Sequence, residues 1–293
     1  MPIDSKRIPG PEETFSPDLY SKTTIKKKLL QENGQRSDGR TLEEIRPIFL
    51  KAGVVSQARG SAYIEARNTK VICAVYGPHE VQRREGFSMQ GTLRCEFKYA
   101  TFACHSRRQH QKDNEEKQLG LVIQQALQPA ICLHKFPKSQ LDIFVTVLQN
   151  DGSALSAALT CASVAVADAG IEMYDVIVGC ALRQAGVETS VLDPTTSEEF
   201  RSRLDPDETV NTAVNHGSVT VAYLPSLNQL SAVQQTGELD HEVAVQCLKK
   251  CIEGCVGMFP VVNQCLTRAV KRKSQKAKQM AEKQQTTSMD EST

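Results

Sequence analysis

The sequence has no tryptophan, few aromatic residues and almost no net charge. Its 293 residues include only six Tyr and nine Phe, so a core must consist mainly of Val, Leu, Ile and Ala. The formal net charge of +1 excludes overall electrostatic attraction as the cause of any nucleic-acid binding and leaves local basic patches. With 40% hydrophobic residues, the chain can bury a sizeable core, arranged as one large domain or two small ones.

Long apolar runs are also missing. Four polar residues interrupt the best candidate, residues 154–169: Ser156, Thr160, Ser163 and Asp168. The segment is therefore too polar for the roughly 18 apolar residues of a membrane helix. The first residues, Met1-Pro2-Ile3-Asp4, are followed by charges and prolines and not by an apolar segment. We therefore expect a soluble protein with neither a membrane span nor a secretion signal.

Ten cysteines are present, but their distribution argues against a disulfide framework. They are spread along the chain and several lie in apolar segments, which is typical of reduced, buried thiols: Cys73, Cys132, Cys161 and Cys180. One group allows two interpretations, a zinc site or a stripe of core residues: Cys247, Cys251, Cys255 and Cys265. A spacing of four places the first three on one helical face. Because a two-residue Cys-Cys gap and a nearby His pair are lacking, the core stripe is favoured.

Composition changes at both ends of the chain. Residues 1–35 carry four prolines and a run of three lysines, and they predict an extended N-terminal arm. Residues 273–293 contain almost nothing apolar and predict a disordered tail, because so little burial cannot offset the entropy of ordering. Residues 36–272 form the predicted folded domain. The basic residues around the boundary between the domain and the tail fit a solvated helix end, a nuclear signal or an RNA contact: Lys271, Arg272, Lys273, Lys276 and Lys278.

The hydrophobic pattern of the central region is strand-rich and then helical, twice over. The first half predicts strands at 54–66, 70–76, 93–99 and 141–148 and helices at 116–133 and 153–169, the second helix ended by Gly170. The second half predicts strands at 175–182, 189–192, 218–224 and 229–233, then a helix at 239–272 bent at Pro260. We therefore predict an α+β domain with two strand-then-helix halves.

An ordered set of motifs resembles the RNase PH family. Residues Arg36-Ser37-Asp38-Gly39-Arg40 resemble its opening Arg-Pro-Asp-Gly-Arg, and residues 60–71 resemble its first hairpin, although Arg67 stands where Gly is common. The resemblance continues in residues 125–129, 165–170 and 192–199 and covers roughly residues 36–270. Residues 1–13 and 171–175 are similar to the members that form the ring of the eukaryotic RNA exosome. The resemblance implies an RNase PH-like fold of the ribosomal protein S5 domain 2-like type.

Active members of that family attack the RNA 3′ end with inorganic phosphate. This reaction needs backbone N–H groups and a guanidinium to hold phosphate, and an acidic residue to bind Mg²⁺ or assist the leaving oxygen. The family turn Gly-Gly-Thr-Arg-Ser corresponds here to residues 152–156, which places Leu155 at the Arg position. Ser218 stands where the family has its Asp. The resemblance thus implies an inactive member that uses no metal or other cofactor.

Two alternatives remain open at this point. Loop residues Asp205, Asp207 and Glu208 could supply a displaced acid and leave an active phosphate-dependent 3′-to-5′ exoribonuclease, although a polar surface loop is the simpler interpretation of them. A free-standing RNA-binding module is the third possibility. It would call for a more basic surface than the net charge of +1 indicates.

A basic segment at 105–112 lies where relatives place arginines that face a central pore. Phosphate contacts require only positive charge near the RNA backbone, and the candidates are Arg94, Lys98, Arg107, Arg108 and Lys112. The alternative is a solvated loop whose charges are balanced by Asp113, Glu115 and Glu116. Because no aromatic residues are interleaved here, sequence-specific readout of bases is not expected.

The resemblance also implies partners and a place in the cell. The partners are other RNase PH-like subunits in a hetero-hexameric ring, cap subunits of the S1/KH type and single-stranded RNA, but no membrane. The implied role is structural, with RNA threading during rRNA processing and mRNA decay. The implied compartments are the nucleus, the nucleolus and the cytoplasm.

Overall fold

The computed structural model describes residues 36–80, 89–105, 107–111, 113–185, 189–201 and 215–290, and the predicted arm at 1–35 lies outside these ranges. One sheet contains, in spatial order, β1 (Ile48–Ala52), β2 (Gly60–Ala66), β3 (Thr69–Glu80), β5 (Ser139–Gln149) and β4 (Thr92–Tyr99). The second contains β7 (Thr189–Leu192), β6 (Val178–Ala185), β8 (His216–Leu224) and β9 (Gln229–Glu238). The helices are α1 (Asn114–Leu127), α2 (Ala154–Asp168), α3 (Thr196–Arg201) and α4 (His241–Asp290).

Alternation along the strands sets the buried face of the first sheet. In β2, Ile64 and Ala66 are buried and Glu65 between them is half-buried. Strands β1, β2, β3 and β5 pair antiparallel, whereas β4 runs parallel to β5. A parallel pair needs a crossover connection, and α1 provides it. The turn between β2 and β3 places Arg67 at φ +55°, the left-handed conformation for which the family often uses Gly.

Helix α2 lies against strands of both sheets, and its small residues permit this close contact. It begins after Ser153 and reaches Asp168, followed by Gly170 at φ +73°, as the sequence predicts. A Cβ on Gly60 would lie 2.2 Å from the Ala169 nitrogen, and a Cβ on Gly179 would lie 2.5 Å from the Ser156 oxygen. Because both sheets touch its backbone, α2 fixes their relative position.

Helix α4 covers the second sheet with the cysteine stripe. Cys247, Cys251, Cys255 and Cys265 are all buried. The Cys255 thiol donates to the Val178 carbonyl at 3.4 Å and the Cys247 thiol to Gln184 Oε1 at 3.3 Å. Burial raises the pKa of Cys247 and Cys265. The core-stripe interpretation is confirmed, and the described ranges contain no cluster of three residues suited to a metal ion.

The α+β class with two strand-then-helix halves is confirmed, but several boundaries differ. Strand β1 and helix α3 were not predicted, and α1 ends at Leu127 instead of residue 133. Helix α4 is assigned as far as Asp290, and the tail boundary predicted at residue 273 stays a prediction. The Lys273 ammonium lies 2.7 Å from the buried Asp168 carboxylate, so the basic end of the domain makes an intramolecular contact. None of the helices in the described ranges combines the length and apolarity needed to cross a bilayer.

Candidate functional site

The small-residue helix α2 begins at a strained turn. Gly152 has φ +85° and Ser153 has φ +53°, two successive left-handed residues. A Cβ on Gly152 would lie 2.4 Å from the Pro194 oxygen, so only glycine fits. The turn is therefore pressed against the segment that connects β7 with α3, and residues 150–156 form the feature that we call the cradle turn.

A buried guanidinium supports the cradle turn from behind. Arg46 donates to the two carboxylate oxygens of Asp193 at 2.6 and 2.8 Å. It also donates to the carbonyls of Asp151 at 2.9 Å and Gly152 at 3.1 Å. Burial alone would raise the pKa of Asp193, but the hydrogen bonds and charge of Arg46 hold it below its ordinary value. Arg46 thus binds carbonyl groups of the turn, not an external anion.

The opening family motif has a similar structural role. Arg36 donates from Nε to Glu198 Oε1 at 2.9 Å and from Nη1 to the Leu192 carbonyl at 2.7 Å. Arg40 donates to the Asp193 carbonyl at 3.3 Å. Burial would raise the pKa of Glu198, yet the contact with Arg36 lowers it. Both arginines of the motif therefore hold the β7–α3 connection in place.

A carboxylate of the same chain accepts a hydrogen bond from a backbone N–H of the cradle turn. The Ser153 backbone N–H donates to Glu199 Oε1 at 2.8 Å, and the Ser153 hydroxyl donates to the Pro194 carbonyl at 3.0 Å. Burial raises the pKa of Glu199, and the Ser153 N–H together with the charges of Arg46 and Arg183 opposes this rise. The donor that could contribute to an anion cradle is thus already paired within the chain. Glu199 lies in the family motif at residues 192–199, but no local sequence pattern indicates its contact with Ser153.

Ser218 lies on β8, whose neighbour β6 packs against the first turn of α2 at Gly179. Gly179 contacts Ser156 in the first turn of α2, and Arg183 shares its sheet face because the two are an even number of residues apart. Ser218 pairs with Arg183 across β6 and β8, and its hydroxyl lies 2.5 Å from that of Thr236.

Leu155, in the first turn of α2, is half-buried and packs against the core. Its aliphatic side chain offers no hydrogen-bond donor to an anion.

The predicted RNA-binding loop lies beside the cradle turn. The Asn150 N–H donates to the Ala103 carbonyl at 2.8 Å, which joins the two segments. Arg107 is exposed, whereas Arg108 lies 4.2 Å from the centre of the Tyr99 ring and 3.1 Å from the Glu115 carboxylate. The loop therefore holds one cation in place and leaves its neighbour in solvent.

The remaining candidates are dispersed. The Lys98 ammonium donates to the His110 carbonyl at 2.9 Å, which fixes it against the same loop. Arg94 is exposed on β4, opposite Asp142 on β5. Lys112 lies outside the described residues, as do the alternative acids Asp205, Asp207 and Glu208.

Comparison with known proteins identifies the family. The chain is 38% identical over 289 residues to the mouse (Mus musculus) exosome complex component MTR3, a match that covers 93% of this chain and 98% of the relative. The chain belongs to the RNase PH family. The RNase_PH family model, described as 3′ exoribonuclease family, domain 1, matches residues 44–172, which include the cradle turn.

Other relatives and solved structures agree with this membership. The human (Homo sapiens) exosome complex component MTR3 is 38% identical over 93% of this chain and 98% of its own length. Rrp41 of Pyrococcus furiosus is 36% identical, with 79% and 88% covered. Rice (Oryza sativa) Rrp46 has a TM-score of 0.65 at 21% identity, covering 79% of this chain and all of that one. An Archaeoglobus fulgidus exosome with RNA bound to the active site has a TM-score of 0.64 at 19% identity, with 78% and 92% covered. These two structures show the shared fold alone.

Proposed function

We propose that this chain is a non-catalytic RNase PH-like subunit of an RNA exosome core ring, with a structural role in 3′-to-5′ RNA processing and degradation. Two relatives named exosome complex component MTR3 are similar to it over nearly their whole length, which supports this assignment. Its partners are then other RNase PH-like subunits in a hetero-hexameric ring, S1/KH-type cap subunits and single-stranded RNA. The compartments proposed are the nucleus, the nucleolus and the cytoplasm.

The observation that carries the non-catalytic assignment is the filled cradle turn. The Ser153 N–H is held by Glu199 at 2.8 Å, and its supporting guanidinium, Arg46, donates to carbonyl groups. Leu155 offers no charge-assisted hydrogen bond to phosphate, a loss of about 1.5–3 kcal/mol in binding. A missing transition-state donor lowers the rate roughly a hundredfold or more.

The loss of the acid supports the same conclusion. Ser218 cannot bind Mg²⁺ as a carboxylate does or donate a proton at neutral pH. Its hydroxyl lies 2.5 Å from the hydroxyl of Thr236 on β9. The alternative, an active phosphate-dependent exoribonuclease with a rearranged site, would need another carboxylate in this position.

RNA contact is the part of the proposed function that does not require catalysis. The exposed Arg107 lies in the loop that is bonded to the cradle turn through Asn150 and Ala103. A cation held near an RNA backbone provides affinity without sequence preference. We assign this role to the five predicted cations Arg94, Lys98, Arg107, Arg108 and Lys112.

The decisive experiment is the native mass and composition of the tagged chain isolated from its own cells. Stoichiometric recovery with several different RNase PH-like chains is expected. A homo-oligomer that degrades RNA only in the presence of inorganic phosphate would contradict the proposal and establish the enzyme alternative. A Leu155→Arg, Ser218→Asp double variant should acquire at most weak phosphate-dependent activity. If it acquires none, further features such as the Glu199 contact also silence the site.

A further inference from the structure

An open cavity lies at the C-terminal end of α1, away from the basic loop. Its volume is about 410 Å³, within the range of roughly 300–1,000 Å³ in which proteins hold small ligands. The loop at 105–112 precedes the other end of α1, and the 14 residues of this helix span about 20 Å. The residues that line the cavity belong neither to the cradle turn nor to that loop.

Three glutamine amides and an apolar base line this cavity. Gln90, Gln125 and Gln128 are exposed at its rim. Ile131 and Leu133 are buried, at 3% and 7% exposure, and supply apolar surface at its base. Each amide offers one acceptor and two donor hydrogens without a charge. Among the described residues that line the cavity there is no Asp, Glu, Lys or Arg. The lining therefore suits a polar, uncharged group with an apolar face.

An exposed aromatic ring completes the lining. Tyr174 is 59% exposed, although its backbone is held firmly. Its N–H donates to the Ala130 carbonyl at 2.8 Å, and the Cys132 N–H donates to the Glu172 carbonyl at 3.0 Å. The ring is thus presented at a fixed place beside the amides. Tyrosine provides a large stacking surface at a low cost in conformational entropy.

The glutamine side chains also extend from a fixed backbone. The Gly91 N–H, next to Gln90, donates to the Leu133 carbonyl at 2.9 Å. Gln125 lies in the last turn of α1, and the Gln128 N–H closes that turn by donating to the Gln124 carbonyl at 3.0 Å. Because the segments around the cavity are already joined, little backbone entropy is lost when a ligand binds.

We propose that this cavity holds one unstacked purine base of single-stranded RNA, with the base face on Tyr174 and the base edge on the glutamine amides. This inference rests on the proposed function in RNA processing. RNA-binding proteins that read sequence hold unstacked bases on aromatic rings and bond their edges. A glutamine amide pairs with N6 and N7 of adenine through two hydrogen bonds, so adenine is the preferred base.

Other ligand classes match the lining less well. An anion such as inorganic phosphate finds no Lys or Arg among the described lining residues. Lys135, next to the cavity, is paired with Glu172. An apolar protein segment would cover the glutamine amides without bonding them, which costs free energy for each amide. The phosphates of the bound strand are then held by cations outside the cavity, the role proposed for Arg107.

The base preference of the assembly tests this inference. The assembly that contains the full-length chain is titrated with fluorescent hexamers of adenosine or uridine, and anisotropy gives both affinities. The wild type should favour the adenosine hexamer at least fivefold. Tyr174→Ala should lose roughly tenfold for that hexamer, as expected for one stacked base, and the preference should disappear. No preference in the wild type, or the same preference in Tyr174→Ala, overturns the inference.

Two glutamines on one helix provide a matched pair. Gln125→Leu removes an amide from the rim, whereas Gln118→Leu removes an exposed amide seven residues earlier on α1, roughly 10 Å away and outside the cavity. Gln125→Leu should weaken binding of the adenosine hexamer at least threefold and leave the uridine hexamer unchanged. Gln118→Leu should change neither. Equal effects of the two substitutions would contradict the base contact.

A free nucleotide presents the same base as RNA, so a further titration uses adenosine monophosphate. Binding of the hexamer at least tenfold tighter than binding of the monophosphate identifies RNA as the source. Equal affinities overturn the assignment to RNA.

A photoreactive phenylalanine analogue in place of Tyr174 identifies the occupant within the assembly. The expected adduct joins this position to RNA. An adduct to a protein chain overturns the inference. If RNase PH-like chains are recovered and RNA binds, but Tyr174→Ala changes no affinity, only this inference fails. If the wild-type chain is recovered without any RNase PH-like partner, the proposed function itself fails.

Discussion

The cradle turn and the basic loop beside it are built in opposite ways. Around the cradle turn, the buried arginines Arg36 and Arg46 are matched to the carboxylates Glu198 and Asp193. In the loop, Arg107 is exposed. The difference indicates that the charged residues around the cradle turn serve to stabilise the fold. Its internal ion pairs join segments about 150 positions apart, so the fold needs them whether or not the turn binds phosphate.

The largest effect should come from removing the guanidinium behind the cradle turn. Arg46→Met leaves the Asp193 carboxylate buried without its bidentate partner, at a cost of roughly 3–5 kcal/mol in the free energy of unfolding. Urea denaturation measures this difference. Arg67→Met is the matched control: Arg67 reaches Asp38 at 3.2 Å but is largely exposed, so less than about 1 kcal/mol should be lost. Equal losses in both variants would show that the buried Arg46–Asp193 pair stabilises the fold no more than the exposed Arg67–Asp38 pair.

Lowering the pH should weaken the buried ion pairs Asp193–Arg46 and Glu198–Arg36. The pKa values of Asp193 and Glu198 are lowered in the folded state by Arg46 and Arg36, despite burial that would raise them. Their stabilisation is therefore complete above their unfolded pKa values near 4 and is lost as the pH falls through the lower folded values. Urea midpoints between pH 6 and pH 2.5 should fall steadily, and the fall should be shallower in Arg46→Met. A fall of the same steepness in that variant would contradict the assignment to Asp193.

The loop should show its own contrast in RNA binding. Arg107→Gln removes an exposed cation and should reduce the salt dependence of single-strand binding by about 0.7 in the log–log slope. Arg108→Gln should reduce it less, because Glu115 and the Tyr99 ring already hold that guanidinium. Binding of an unstructured oligonucleotide to the assembled complex over a salt series measures both. An unchanged slope in Arg107→Gln would remove the loop from the RNA path.

The smallest effect is expected at Glu199, the buried carboxylate that accepts a hydrogen bond from the Ser153 N–H. Burial raises its pKa, so its contribution to stability is present below the unfolded pKa and is lost as the pH rises through the folded value. Glu199→Gln keeps an acceptor for the Ser153 N–H without the buried charge. Its unfolding free energy at pH 7 should therefore equal or slightly exceed that of the wild type. A marked loss of stability would show that the charge itself, not the hydrogen bond, holds the turn.

Local patterns predicted much of the fold. The helix from Ser153 and its end before Gly170 follow from small residues and a left-handed glycine. The pairing of β2 with β3 follows from alternation around a short turn. Helix α3 was missed because it has only six residues, too few for a periodic pattern.

The candidate site was predicted in part. The positions Leu155 and Ser218 emerged from ordered motifs, and the structure places Leu155 in the first turn of α2 and Ser218 on β8. The partners Arg46 and Asp193 were missed, because charged residues normally indicate a surface and no local pattern marks a buried ion pair. The tail boundary at residue 273 stays a prediction.

By itself, the sequence determined the family, the α+β class and the absence of an Arg and an Asp from two motif positions, because these depend on residue identity and short-range periodicity. Only the tertiary structure decided that the motif arginines hold the β7–α3 connection and that Glu199 accepts a hydrogen bond from the cradle turn. Each of those features joins or exposes groups far apart in the chain. Burial and hydrogen bonding between such groups exist only once the two sheets have packed on α2.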